Sequence, residues 1–301
     1  MIEFIRNILR YKWFVFGMAI LFGFGTAIFI FNAPDEYKAE AMLMPVSDNS
    51  NGGLGALGSQ LGGLASIAGI NVNSGGNDKV ALALALVNDW DFVDTFIKKH
   101  NIKGELLAVD GWDRQANKLI YDTDSYDINS KSWKLIDGKM DEPSDWKAFV
   151  EFKKRIVFRQ DKSSPLIIAD LTYYSPLIAK QWLELLVEDI NHKIKLMDLN
   201  DTKLNIDYLN QQIESTNLTD IKEVFYELMQ EQLKTYMLAE VRSEYVLKKI
   251  GKIKVPEVKF KPRRLLLVVL GTFMGILFGL LIICIKPFLV DIRYRLNNDN
   301  S

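Results

Sequence analysis

Several residue groups in this chain have types and spacings that invite chemistry. Gly53-Leu54-Gly55-Ala56-Leu57-Gly58 has the GxGxxG spacing of a dinucleotide-binding turn, and Asp78 stands further along the chain. Such a turn holds a pyrophosphate when its glycines lie directly between a strand and a helix N-terminus. Here residues 47–51 intervene, and residues 53–60 end in Gly58-Ser59-Gln60, without the lysine of a phosphate-binding loop. Asp122, Asp124 and Asp127 suggest the start of a calcium loop. A glycine belongs at the sixth position and a glutamate at the twelfth, but the sequence has Asp127 and Trp133. Asp110 and Asp113 could serve as a glycosidase pair only at a fixed separation, and nothing local fixes one. His100 and His192 are the only histidines and Cys284 the only cysteine. That excludes an internal disulfide or a CxxC site and disfavours a histidine-rich metal centre. His100 is expected to cap a helix, and His192 to sit mid-helix among charged neighbours. The reading is no enzyme, no cofactor and no metal.

The elements that would position any site divide the chain by hydropathy. Of 301 residues, 49% are hydrophobic and 25% charged, which fits a chain that buries a core and excludes disorder over most of its length. Lys+Arg 37 against Asp+Glu 38 gives net −1, which disfavours a nucleic-acid partner. Residues 13–31 and 265–285 carry no charge, and each is near the ~20 residues a helix needs to cross a bilayer. The first run is too long for a signal-peptide core, and Asn32-Ala33-Pro34 is a poor cleavage site. Arg6, Arg10 and Lys12 precede it while Asp35 and Glu36 follow, which predicts a cytoplasmic N-terminus. The resulting plan is a cytoplasmic segment 1–12, a transmembrane helix 13–31, an outer domain 32–264, a second transmembrane helix 265–285 and a cytoplasmic tail 286–301. Neither cytoplasmic segment is long enough for an output domain.

Small residues recur inside both spans. Gly271, Gly275 and Gly279 share one helix face, and Ala19, Gly23 and Ala27 repeat that spacing. Such faces let helices approach closely in lipid, so either the two spans pack together or one docks another membrane protein. Lys259, Lys261, Arg263 and Arg264 stand where lipid headgroups are expected, as simple anchors or as contacts to an anionic ligand.

In the outer domain, residues 37–46 predict a strand and residues 52–76 an irregular glycine-rich loop. Residues 78–100 predict one helix, with Val80, Leu84, Val87, Phe92, Phe96 and Ile97 as its apolar face. Short strands are expected within 105–142, a helix over 144–155, and a strand pair on either side of 161–164. Ser175 as N-cap and Pro176 at the first position start a helix that runs to about Glu214. Trp182, Leu186, Ile190, Ile194 and Met197 recur along it, followed by Leu209 and Ile213. A second helix is expected from about Leu218 to Lys249, with Ile221, Phe225, Leu228 and Leu238 along it. Residues 252–260 read as extended. The predicted class is α+β: an α/β base (32–174 and 250–264) with a long helical projection (175–249). Helices this long normally find neighbours, which predicts self-association.

Four stretches in order carry a resemblance: GGLASIAGI (62–70), ALALALVNDWDFVDTFIKKHNI (81–102), DLTYYSPLIAKQWLELLVEDIN (170–191) and AEVRSEYVLKKIGKIKVPEVKFKPRR (239–264). With two flanking spans, the chain resembles the Wzz polysaccharide co-polymerases, the chain-length determinants of lipopolysaccharide O-antigen and related glycans. The resemblance implies a homo-oligomeric inner-membrane scaffold with a periplasmic domain and no catalysis of its own. It implies partnership with a Wzy-type polymerase and contact with a nascent lipid-linked glycan. It marks Pro256 and Pro262 as the family's proline motif before the second span. Tyrosine-kinase relatives carry a domain after that span, which the tail 286–301 does not match. The alternative is a co-polymerase for capsule or exopolysaccharide export.

Overall fold

The computed structural model describes residues 12–46, 75–136, 139–140, 142–160 and 164–298. The GxGxxG stretch, residues 62–70, and Arg6 and Arg10 lie outside them. Along the chain, helix α1 (Lys12–Phe31) precedes strand β1 (Glu36–Pro45), then α2 (Gly75–Leu86), α3 (Trp90–Lys99) and α4 (Lys103–Leu107). Three short hairpins follow: β2 (Val109–Asp113) with β3 (Lys118–Tyr121), β4 (Tyr126–Asp127) with β5 (Ser132–Trp133), and β6 (Leu135–Ile136) with β7 (Lys139–Met140). Then come α5 (Asp145–Arg155), β8 (Ile156–Gln160), β9 (Ile167–Tyr173), α6 (Pro176–Ser215), α7 (Thr219–Val241), β10 (Leu247–Lys249), β11 (Lys259–Lys261) and α8 (Arg264–Asn298). These form two compact units, residues 1–36 with 259–301, and residues 37–258.

The larger unit is mixed helix and strand, built on a sheet with the antiparallel order β10-β1-β9-β8. Tyr37 faces Tyr173, Leu43 faces Ile167, and Ile156 faces Leu171. Alternation along β1 buries Tyr37, Ala39, Ala41 and Leu43 and leaves Lys38, Glu40, Met42 and Met44 on the opposite face. The buried face meets α6 through Trp182, Leu183, Leu186 and Ile190, and Phe96 and Phe152 complete the core. Burying each such side chain contributes roughly 1.5–3 kcal/mol. The Tyr173 ring lies 4.5 Å from Trp182, and its hydroxyl donates to the Glu105 carbonyl at 2.5 Å. Burial pushes the Tyr173 phenol well above its ordinary value.

Two expectations need correction. The helix expected over 78–100 is two helices. Asp89 caps the second by accepting from the Phe92 N–H at 2.9 Å, which stops the first at Leu86. The second long helix ends at Val241 rather than Lys249, because residues 247–249 pair with β1 (Leu43 opposite Lys249). Ser175 does stand at the N-cap of α6 and Pro176 in its first turn, but the serine side chain makes no capping hydrogen bond.

Helix α6 has 40 residues, about 60 Å of rise. Its first half is buried against the sheet, while beyond Ile194 only Thr202, Leu209 and Ile213 are buried. Helix α7 folds back along it: Asn205 lies across from Gln232 and Lys195 donates to the Glu240 carbonyl.

Candidate functional site

The smaller unit pairs α1 with α8. Residues Trp13–Phe31 and Arg264–Ile283 are each long and apolar enough to cross a membrane. The small residues of both helices meet. A Cβ on Gly275 would lie 2.7 Å from the Met18 carbonyl oxygen and 3.0 Å from the Ala19 Cα. One on Gly279 would lie 3.2 Å from the Val15 Cα, and one on Gly23 2.6 Å from Thr272 Oγ1. A Cβ on Gly271 would strike Thr26. Ala19, Gly23, Gly275 and Gly279 are buried and Ala27 half-buried. Phe22 and Phe278 stack at 5.5 Å. The close approach that glycine permits is therefore used, in this structure, between two helices of one chain.

At the end of this helix pair, three cations share two carboxylates. Arg264 donates to Asp35 at 2.8 Å, Lys259 lies 3.4 Å from the same carboxylate, and Lys261 lies 3.9 Å from Glu36. The Arg264 guanidinium also sits 5.2 Å from the Phe31 ring centre. Arg263 is exposed, and among the described residues no carboxylate pairs with it. Of the sequence-predicted cluster, three members are thus engaged inside the unit and Arg263 is the one open to an external anion. Asp35 and Glu36 gave an orientation signal in the sequence. Their part as counter-ions went unread because some 220 residues separate them from their partners. The peptide bond Lys261–Pro262 is cis.

In the larger unit, three of the carboxylates that resembled catalytic or calcium-binding groups are occupied locally. Asp113 accepts from the Gln115 N–H, Asp122 from Asp124 N–H and the Ser125 hydroxyl, and Asp127 from Asn129 N–H and the Ser130 hydroxyl. The serine hydrogen bonds, followed by the backbone ones, hold Asp122 and Asp127 below the usual carboxylate range. They are turn-forming groups. No group of three metal-ligating side chains gathers among the described residues. His100 ends α3 and its Nε2 lies 2.8 Å from Asp189, while His192 sits within α6.

Two features went unread in the sequence. One is a cluster joining α2 to α6. Lys79 lies 2.8 Å from Asp198 and 3.1 Å from the Tyr245 hydroxyl, which itself donates to Asp198 at 2.6 Å. Burial opposes the charge on Lys79, but hydrogen bonds to Asp198 and Tyr245 outweigh it and raise the ammonium above its ordinary value. The other is a cleft of about 370 Å³ between β1 and residues 249–256, lined by Lys38, Lys249, Lys252 and Lys254. Alternate lysines in KIKVPEVKF were the available signal. Pro256 of the proline motif lines the same cleft.

No family model and no curated protein matches the sequence. Among solved structures, the chain is similar to a full-length bacterial polysaccharide co-polymerase at 10% identity and a TM-score of 0.37, over 97% of this chain and 98% of that one. It is also similar to a fragment of WzzB, a polysaccharide co-polymerase from Salmonella Typhimurium, at 9% identity and a TM-score of 0.32, over 76% of this chain and all of the fragment. Both are described as polysaccharide co-polymerases.

Proposed function

We propose that this protein is an inner-membrane regulator of surface-polysaccharide chain length, an oligomeric scaffold that works with a Wzy-type polymerase on lipopolysaccharide O-antigen. Residues 32–264 are then periplasmic and both termini cytoplasmic. In this reading the chain organises synthesis and leaves the chemistry to its partner. The observation that carries the reading is the long helix pair. On α6, Met197, Leu204 and Tyr208 lie exposed at helical spacing, and on α7 so do Leu233, Met237 and Val241. Helices that leave such rows uncovered by their own chain suit contact with further copies. The paired apolar helices support a membrane anchor, and the resemblance read from the sequence supplies the pathway.

The test is a glycan ladder from a deletion strain. Loss of a modal O-antigen length, restored by the gene in trans, is the expected result, and an unchanged ladder rejects the reading. If capsule or exopolysaccharide changes while O-antigen does not, the protein serves an export pathway instead.

A further inference from the structure

We propose that the cleft between β1 and residues 249–256 binds an oxyanion, a carboxylate or phosphate carried on a group about the size of a sugar ring. Four lysines line it, Lys38, Lys249, Lys252 and Lys254, against one lining carboxylate, Glu40. Lys38 is shared between Glu40 at 3.2 Å and Asp170 at 3.5 Å, and Asp170 is itself held by Arg159. Lys249 reaches Glu188 at 3.3 Å. Lys252 and Lys254 are exposed, and no carboxylate pairs with either among the described residues. The cleft therefore carries surplus positive charge inside a concave wall, where a field is focused rather than dissipated.

The backbone explains why the cleft exists. After β10 the chain turns at Gly251, whose φ of +80° lies in the left-handed region that favours glycine. Residues 252–256 then run as a separate wall beside β1. Met42 and Pro256 give the cleft apolar surface, which a bare inorganic ion would not use and the C–H face of a sugar ring would. A volume near 370 Å³ falls at the small end of ordinary ligand sites. That the carrier is a sugar rests on the proposed function; the demand for negative charge does not.

The experiment uses the full chain in nanodiscs of neutral phosphatidylcholine, titrated by calorimetry with digalacturonate, inorganic pyrophosphate and, as an uncharged control, maltose. Saturable binding of at least one anion, weakening as salt is raised, is expected. The double variant Lys252→Gln/Lys254→Gln should weaken it about tenfold, and Lys252→Arg/Lys254→Arg should retain it. Both positions are exposed, so an unchanged circular dichroism spectrum is expected for each variant. Digalacturonate binding assigns a carboxylate ligand, and pyrophosphate binding alone assigns a phosphate. The proposal is overturned if neither anion binds the unmodified protein, if the glutamine pair leaves binding unchanged, or if maltose binds as tightly as digalacturonate. An unchanged glycan ladder in the deletion strain would defeat the chain-length reading and leave the binding result standing.

Discussion

Asn191 and Leu247 exchange hydrogen bonds in both directions. The Asn191 Nδ2 donates to the Leu247 carbonyl at 2.9 Å, and the Leu247 N–H donates to Asn191 Oδ1 at 2.9 Å. The same oxygen accepts from the Val246 N–H at 2.8 Å, and Nδ2 also donates to the Val187 carbonyl. A side-chain amide thus stands in for a neighbouring peptide group. It satisfies the backbone where the chain returns from the long helices to β10, in a position that water does not reach. The returning segment continues into the lysine-lined wall of residues 249–256, so this one side chain links the helix pair to the cleft.

Asn191→Ala should remove a partner from two amides and two carbonyls in the interior. At roughly 1–3 kcal/mol for a buried group left unsatisfied, and with some relaxation, a loss of about 2–4 kcal/mol is expected. Chemical denaturation of the full chain in detergent measures it. A loss below about 0.5 kcal/mol would mean that the segment finds other partners.

Gly275→Leu should force α1 and α8 apart, because the first added carbon already meets the Met18 carbonyl, the Phe22 Cβ and the Ala19 backbone. Cross-linking between cysteines placed at Phe22 and Phe278, whose rings stack in the parent, reads this out in a Cys284→Ser background. The yield should fall at least about fivefold, the lost dense packing being what drives helix association in lipid. An undiminished yield would free this glycine face for a partner such as the polymerase.

The sequence made some of this architecture legible and hid the rest for identifiable reasons. Ser175-Pro176 marks the start of α6 by local backbone preference alone, and the structure begins the helix there. Spacing found the small-residue faces, but periodicity names a face and not its occupant. Residues 247–249 read as helix because Leu-Lys-Lys suits one. What makes them a strand is Leu43, about 200 residues away. The break between α2 and α3 was legible in principle. Asn88-Asp89 is a helix-start pair, but the continuous apolar periodicity across Val87 and Phe92 masked it. Ile221, Leu228 and Leu238, the apolar residues that recur along α7, are exposed in the single chain. A period of 3.6 cannot distinguish a core from a surface reserved for another molecule.

That surface gives the third prediction. Leu233→Glu/Met237→Glu adds charge to α7 where both side chains are already in water, so the single chain should fold with its parent circular dichroism spectrum. Burying those charges between copies would be strongly unfavourable. The mass of the detergent-solubilised protein by light scattering should therefore fall toward that of one chain, while the parent should run as an oligomer. A variant that keeps the parent's assembled mass would place the contact between copies elsewhere.

The last prediction concerns acid. Asp145, in the first turn of α5, lies 2.7 Å from Lys103 and 2.9 Å from Lys98, joining α3, α4 and α5. Hydrogen bonds from Lys103 and then Lys98 hold its carboxyl below the usual carboxylate range. A carboxyl depressed in the folded state binds its proton more readily once unfolded. Its contribution is therefore complete above the ordinary value near 4 and is lost as pH falls through the lower folded value. The aspartate is partly exposed, so the contribution is about 0.5–1 kcal/mol. Asp145→Asn should thus be less stable than the parent by that amount at pH 7, and the gap should close as pH falls below the ordinary carboxylate range. Glu105, whose carboxyl burial pushes up, titrates in both proteins and cancels from the difference. Denaturation midpoints measured from pH 2 to 7 give the comparison. A gap that persists unchanged at pH 2 would show that the asparagine disturbs packing rather than charge.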